Sequence, residues 1–170
     1  RDVVLFDLIA RGLSLTHRPF DAVEISGGKL DPAKTPLLWV MMEQQCPAEI
    51  QKKLVEYVRQ GGKLILAGRM CIEDFEQQPC TLLKDAARIA GIHSDPPFVE
   101  NFISAFNYRD VPVSFLESYT GEFDEVFARG LDGGTVGFIQ RIGEGQLVAL
   151  GAAFPADTLD DLDIVNLMAL

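Results

Sequence analysis

The spacing of apolar residues divides the first part of the chain into alternating helices and strands. Apolar positions three and four residues apart predict an amphipathic helix over VLFDLIARGLSL (4–15), and DAVEIS (21–26) reads as a short strand. The continuous apolar run TPLLWVMM (35–42) is typical of a parallel strand covered on both faces. A helix over residues 46–62 leads from it to the next strand, KLILAG (63–68). These elements predict a right-handed βαβ unit.

Beyond this unit the pattern changes from helices to short strands. TLLKDAARIAG (81–91) has the apolar spacing of a third helix, and the acid-rich residues near Thr158 or Asp160 predict the start of a final one. Turn signals at 130–134 and 143–145 separate short apolar segments. The predicted strands lie in FVENFISAF (98–106), VPVSFLESY (111–119), DEVFAR (124–129), TVGFIQRI (135–142) and QLVALGAA (146–153), and the last two form the clearest hairpin.

This order of elements predicts one α/β domain over residues 1–170. A mainly parallel sheet between helices, extended by antiparallel strands near the C-terminus, is the arrangement of flavodoxin-like and class I amidotransferase-like three-layer sandwiches. In such sheets ligands bind at the carboxyl ends of the parallel strands. The prediction therefore places Gly68, Arg69 and Cys71 in a candidate cleft, because they follow the strand at 63–68.

Composition narrows the classes of function. The net charge of −10 argues against a nucleic-acid partner, because phosphate binding depends on clustered Lys and Arg. No apolar run approaches the ~20 residues of a membrane helix, so no membrane partner is expected. No signal peptide is recognisable, and a start at Arg1 without Met leads us to expect a piece of a longer polypeptide. The three widely spaced cysteines predict a reducing, cytoplasmic location without a zinc site, and no metal or cofactor is expected.

Cys71 stands just past a predicted buried strand, a common place for a nucleophile. A cysteine hydrolase of the amidotransferase type needs small residues, usually glycine, two positions to either side, where this chain has Arg69 and Glu73. Such an enzyme also needs a histidine base late in the chain, but the matching stretch reads FPAD (154–157). Cys71 is therefore a weak catalytic candidate, and a structural thiol is the favoured interpretation.

The remaining candidate residues have simpler structural interpretations. Neither His17 nor His93 stands in a triad-like context, and Cys46 and Cys80 fall at predicted helix starts. Acidic clusters could serve as a glycosidase pair or a cation site, but no EF-hand spacing is present and a solvated surface is favoured. The clustered acids are Glu73, Asp74, Glu76, Glu122, Asp124, Glu125, Asp157, Asp160, Asp161 and Asp163.

Three segments carry a resemblance to a known family. The run PLLWVMMEQQCPAEIQKKLVEYVRQGGKLILAGR (36–69) resembles the degenerate class I glutamine amidotransferase-like domain of large β-galactosidases. The continuation RMCIEDFEQQPCTLLKDAARIAG (69–91) is similar to that domain in long bacterial enzymes of glycoside hydrolase family 35, and GLDGGTVGFIQRIGEGQLVALGAAF (130–154) resembles its closing hairpin. The similar domain of the related family 42 enzymes helps to build a trimer.

The resemblance implies a non-catalytic accessory or oligomerisation domain. In that family two Glu residues on a separate TIM barrel hydrolyse β-galactosides, and this barrel lies outside the present chain. The implied partners are the other domains of the same polypeptide and, by extension, further copies in a homo-oligomer. Two alternatives stay open: a cysteine-dependent amidotransferase-like hydrolase that uses Cys71, and a sugar-binding module that uses a vestigial cleft at Gly68, Arg69 and Cys71.

Overall fold

The computed structural model describes residues 10–17, 19–95, 101–106 and 108–153. Residues 10–15 are helical, and the further helices are α1 (Ala48–Arg59) and α2 (Leu82–Ala86). Strands account for 44% of the structure and helices for 17%, so the fold is mostly β. The strands are β1 (Leu37–Met42), β2 (Lys63–Gly68), β3 (Ile89–Ser94), β4 (Asn101–Ala105), β5 (Tyr108–Val113), β6 (Phe115–Gly121), β7 (Glu125–Gly130), β8 (Thr135–Ile142), β9 (Gly145–Leu150) and β10 (Ala152–Ala153).

The predicted strand-helix-strand unit is present in the structure. β1 and β2 are parallel neighbours, and Leu38 lies beside Leu64 in their register. The connecting helix α1 buries Leu54 and Val58 in the same apolar cluster as these two strand residues. Burying a side chain of this size contributes roughly 1.5–3 kcal/mol, so the apolar faces of α1 and of the two strands hold the unit together.

The strands form one branched sheet. β2 pairs in parallel with β9, and the sheet continues from β9 through the antiparallel strands β8, β7, β4 and β5. β6 branches from β8 and pairs with β3 and β10. The seven-strand path is mixed and curls into a half-barrel. The predicted β8–β9 hairpin is confirmed, with Gly143 at φ +63° opening its two-residue turn.

The predicted flavodoxin-like or class I amidotransferase-like three-layer α/β sandwich with a mainly parallel sheet is wrong. Among the described residues the parallel pairings between strands are β1–β2 and β2–β9, and the other strand pairings are antiparallel. The third predicted helix is also too long. α2 ends at Ala86, Arg88 takes a left-handed φ of +58°, and the chain continues as β3 against β6. Apolar spacing overestimated the helices because it carries no information about a distant strand partner.

Several other sequence predictions have different outcomes. Residues 21–26 form no strand, so that prediction is wrong. The start of the first predicted helix, at 4–9, and the final helix predicted near Thr158 lie outside the described residues, as does the FPAD stretch at 154–157. The helical residues 10–15 agree with the end of the first predicted helix.

Two apolar clusters support the sheet. The larger cluster includes Tyr57 from α1, Leu83 from α2, and Leu64, Phe138 and Leu147 from β2, β8 and β9. The smaller cluster contains one buried residue from each of β4, β5, β6, β7, β8 and β10: Ile103, Val113, Leu116, Ala128, Val136 and Ala152. The end of β1 and the loops that carry the candidate site also belong to the larger cluster, through Met42, Cys46, Met70 and Cys71.

Candidate functional site

β2 ends at Gly68, and the chain turns sharply there. Gly68 has a φ of +102°, a conformation that residues with side chains disfavour. A Cβ atom at this position would lie 2.6 Å from the carbonyl oxygen of Met42, which accepts a hydrogen bond from the Arg69 N–H at 2.9 Å. The turn therefore brings the start of the loop after β2 against the end of β1.

The loop after β2 holds Cys71 in the protein interior. Cys71 has no solvent exposure. The hydrogen-bonding effect of the Cys46 side chain, in the loop after β1, raises the pKa of the Cys71 thiol far above its ordinary value, and burial raises it further. A thiol that keeps its proton and is closed off from solvent is a poor nucleophile.

Arg69 is partly exposed in the turn after β2, which is called the corner below. Its guanidinium carbon lies 4.5 Å from the centroid of the Phe115 ring, so the side chain makes a cation–π contact with β6. The three residues predicted to line a vestigial cleft thus have different settings: Gly68 forms the turn, Arg69 lies over Phe115, and Cys71 is buried. Their role as a ligand-binding cleft stays a prediction.

A buried carboxylate supports this corner, and sequence reasoning missed it. Glu117 on β6 is 3% exposed; its Oε1 accepts a hydrogen bond from the Met70 N–H at 2.7 Å and its Oε2 one from the Ser94 hydroxyl at 3.1 Å. Burial raises the pKa of this carboxyl group, although hydrogen bonds from Met70, Tyr119 and Ser94 and the nearby Arg69 charge act to lower it. Glu117 therefore joins β6 and β3 to the turn after β2.

A buried amide, which sequence reasoning also missed, joins the loop after β1 to the loop after β2. Gln51 on α1 is fully buried, and its Nε2 donates to the carbonyl oxygens of Cys46 at 3.1 Å and Cys80 at 2.9 Å. Its Oε1 accepts from the Leu83 N–H at 3.2 Å. One side chain thus satisfies backbone groups in both loops and at the start of α2, as buried polar groups require.

The histidines lie apart from the cysteine environment. His93 on β3 has a side chain that is 73% exposed, and its Nε2 lies 3.4 Å from an Asp95 carboxylate oxygen. His17 is exposed beside the helical segment at 10–15. The groups that shift the pKa of Cys71 are Cys46 and Cys80, with burial. Within the described ranges, neither histidine is among the groups that act on Cys71.

Several of the clustered acids organise the backbone around them. Asp74 accepts hydrogen bonds from the N–H groups of Glu76 and Gln78, both at 2.9 Å, in the loop after β2. Asp124 accepts one from the Arg141 N–H at 2.6 Å beside β8. In the part of the chain that the structure describes, no group of three or more His, Cys, Asp or Glu side chains is arranged to hold a metal ion.

An open cavity of about 390 Å³ lies beside the loop after β2. Its lining includes Ile72, Glu73, Pro79, Lys84 and Ile92, so apolar side chains dominate and one charge of each sign is present. The cavity is a shallow surface feature, and sugar binding in this region stays a prediction. None of the helices described here has both the length and the apolar character needed to cross a membrane.

Comparisons with known proteins identify a matching family and two relatives. The family model described as "GLMA-like, second domain" matches residues 1–124. The β-1,2-glucosyltransferase of Ignavibacterium album is 28% identical over 169 residues, which is 98% of this chain and 23% of that protein. An exo-β-D-glucosaminidase of Pyrococcus horikoshii is 28% identical over 153 residues, which is 82% of this chain and 18% of that protein. The chain spans about a fifth of the length of these relatives.

Solved structures share the fold. Gan42B, a GH42 β-galactosidase from G. stearothermophilus, matches with a TM-score of 0.73 at 16% identity, over 95% of this chain and 24% of that chain. The β-galactosidase from Rahnella sp. R3 has a TM-score of 0.70 at 14% identity, over 95% of this chain and 26% of that chain. At such identities the likeness shows the fold alone. The resemblance to a family 42 domain is confirmed at this level, whereas the assignment to family 35 stays a prediction.

Proposed function

We propose that this chain, which belongs to the GLMA-like second-domain family, is a non-catalytic accessory domain of a larger glycoside hydrolase. The named relatives are enzymes that act on β-linked sugars, and this chain corresponds to about a fifth of their length. The catalytic groups of the parent enzyme, two Glu residues on a TIM barrel, belong to another part of the polypeptide in this proposal. Hydrolysis therefore takes place outside this domain.

The environment of Cys71 is the observation that carries the non-catalytic part of the proposal. In this fold a nucleophile at the end of β2 needs an exposed thiolate and a base. Cys71 instead has no solvent exposure, and its pKa is raised by the hydrogen-bonding effect of Cys46 and by burial. This argues against the alternative of a cysteine-dependent hydrolase.

The proposed role requires a surface that contacts other domains of the polypeptide or further copies of the chain. Phe75 in the loop after β2 is 72% exposed, and Leu82 at the start of α2 is 44% exposed. Burial of such exposed apolar side chains against a partner stabilises the complex. Homo-oligomerisation and a cytoplasmic location stay predictions.

Alkylation under native conditions tests the observation on Cys71. The folded chain is treated with iodoacetamide near neutral pH, and each cysteine is followed by peptide mapping. We expect Cys71 to stay unlabelled while the protein is folded and to react fully in denaturant. Fast stoichiometric labelling of Cys71 in the folded chain would contradict the proposal. A glutaminase assay on the wild type and Cys71→Ala, expected to show no activity in either, tests the alternative enzyme directly.

A further inference from the structure

Three neighbouring strands bring a row of polar side chains to one face of the sheet. Lys63 at the start of β2 pairs with Gln146 of β9, and Gln146 in turn pairs with Arg141 of β8. Residues that lie opposite each other in a sheet present their side chains to the same face. Neighbouring strands are about 4.8 Å apart, so the backbones of Lys63 and Arg141 are separated by roughly 10 Å. Two long cationic side chains therefore flank one amide.

The same three side chains line one open depression of about 430 Å³. The α1–β2 loop and the β8–β9 turn supply the rest of its lining, and two backbone hydrogen bonds join these segments. The Glu144 N–H donates to the carbonyl oxygen of Arg59 at 3.2 Å, and the Gln146 N–H donates to that of Gly62 at 3.2 Å. The wall of the depression is therefore fixed by the fold before any ligand binds.

Neither cation in the depression is neutralised by a carboxylate. Within the part of the chain that the structure describes, no carboxylate oxygen lies within 4.0 Å of the charged groups of Lys63 or Arg141. Asp124 is close to Arg141, but its carboxylate accepts hydrogen bonds from the Arg141 backbone N–H and the Gln140 amide. Glu144 is the acid in the lining. The depression thus has two cations for one carboxylate, in a chain whose net charge is −10.

The surface becomes apolar next to this row. Ile65, Val148 and Ile139 lie side by side one step further along the same face of the three strands, and each is partly buried. Apolar neighbours exclude water from one side of the charged groups. A counter-ion held there interacts with the two cations more strongly than it would in bulk water.

We propose that Lys63, Gln146 and Arg141 form a binding site for a small ligand that carries a phosphate or sulfate group. The guanidinium group of Arg141 can hold two oxygens of such a group, Lys63 supplies a compact positive charge, and the Gln146 amide can donate to a further oxygen. A tetrahedral oxyanion presents oxygens in several directions, as donors from three strands require. The proposal does not depend on the proposed function.

Calorimetric titration of the whole 170-residue chain with sodium phosphate tests the proposal. Sodium chloride keeps the ionic strength constant, because general attraction between exposed charges is screened by salt. We expect saturable binding of one phosphate per chain, and competition by sodium sulfate. A titration that shows no saturable binding at tens of millimolar phosphate would overturn the proposal.

Variants locate the site. Lys63→Met and Arg141→Met each remove one charge from an exposed side chain and keep its length, and each should weaken phosphate binding about tenfold. Lys63→Arg keeps the charge and should retain binding. Lys52→Met, at an exposed position on α1 outside the depression, is the matched control. Circular dichroism establishes that each variant is folded. Unchanged affinity in both Lys63→Met and Arg141→Met would contradict the proposed site.

A second titration series separates a free ion from a phosphorylated compound as the ligand. Glucose 6-phosphate should bind at least as tightly as inorganic phosphate, and with equal loss in Lys63→Met. Tighter binding of glucose 6-phosphate would support a phosphorylated organic ligand, whereas equal binding would support the ion itself. Glucose, which has no anionic group, should show no binding that depends on Lys63. Glucose binding that Lys63→Met abolishes would contradict recognition of the anionic group.

Discussion

Gln51 and Glu117 hold the loop after β2 from different sides. Gln51 bonds to the backbone of both loops and of α2, whereas Glu117 bonds to the turn after β2 from β6. Both side chains are buried. Polar groups in such positions stabilise a structure as long as every partner is present, and losing one leaves its partners unpaired away from water.

Replacing Gln51 by leucine should destabilise the protein strongly. The variant keeps the size of the side chain but leaves the carbonyl groups of Cys46 and Cys80 and the N–H of Leu83 without their partner. Unpaired buried groups of this kind cost about 1–3 kcal/mol each, and partial relaxation leads us to expect a loss of about 2–4 kcal/mol. Urea unfolding measures this loss. Gln60→Leu at an exposed position is the control, and equal losses in both variants would refute the role of Gln51.

Glu117 should make stability depend on pH in an unusual direction. Burial raises the pKa of Glu117 in the folded state. Between the ordinary and the raised pKa, the folded protein therefore keeps a proton on Glu117 that the unfolded chain has released. The associated stability is fully present below the ordinary pKa of 4.5 and is lost as pH rises through the raised value.

The variant Glu117→Gln isolates this pH effect, because it cannot titrate. The free energy of unfolding of the wild type, minus that of the variant, should fall as pH increases from about 4.5 and level off above the raised pKa. Taking the difference cancels the contributions of the other carboxyl groups. A difference that stays flat, or rises over this interval, would show that the carboxyl group is not disfavoured as an anion in the folded state.

At the scale of elements, local signals predicted some parts of the fold and failed for others. β1, α1, β2 and the β8–β9 hairpin were predictable because continuous apolar runs, glycine stops and a short turn lie within each segment. β3 was not, because Ile89–Ser94 becomes a strand through its pairing with β6, far away in the chain. The candidate site likewise has a part that local sequence predicts and a part that depends on distant segments. The position of Cys71 at a strand end was predictable, but the burial of Gln51 and Glu117 depends on partners from distant segments.

The turn that ends β2 should be intolerant of any side chain. Gly68→Ala forces a residue with a Cβ into a φ of +102° and places that atom 2.6 Å from the Met42 carbonyl oxygen. Backbone strain of this kind costs about 1–3 kcal/mol, so the melting temperature should fall. Gly28→Ala is the matched control, because nothing lies within 4 Å of its added Cβ. Thermal unfolding compares the two, and equal effects would argue against a strained turn.

At the scale of the whole molecule, the chain is an acidic, mostly β domain with the fold of a segment of larger β-galactosidases. The amidotransferase-like sandwich expected from the sequence fails because the parallel pairings stop at β9, after which the sheet continues with antiparallel strands. The same change of direction removes helices that a doubly wound sheet would need as crossovers. Family membership and fold therefore indicate the protein context, while the burial and the raised pKa of Cys71 are the observations behind the proposed non-catalytic role.

The central claim, a non-catalytic domain of a glycoside hydrolase, is tested most directly by a hydrolysis assay on the purified 170-residue chain. Chromogenic β-galactoside, β-glucoside and β-glucosaminide substrates are incubated with the chain, and the exo-β-D-glucosaminidase of Pyrococcus horikoshii serves as the positive control on the glucosaminide. Circular dichroism first establishes that the chain is folded. The account predicts release of chromophore at the buffer rate for all three substrates. Sustained turnover that scales with the concentration of the chain would contradict it.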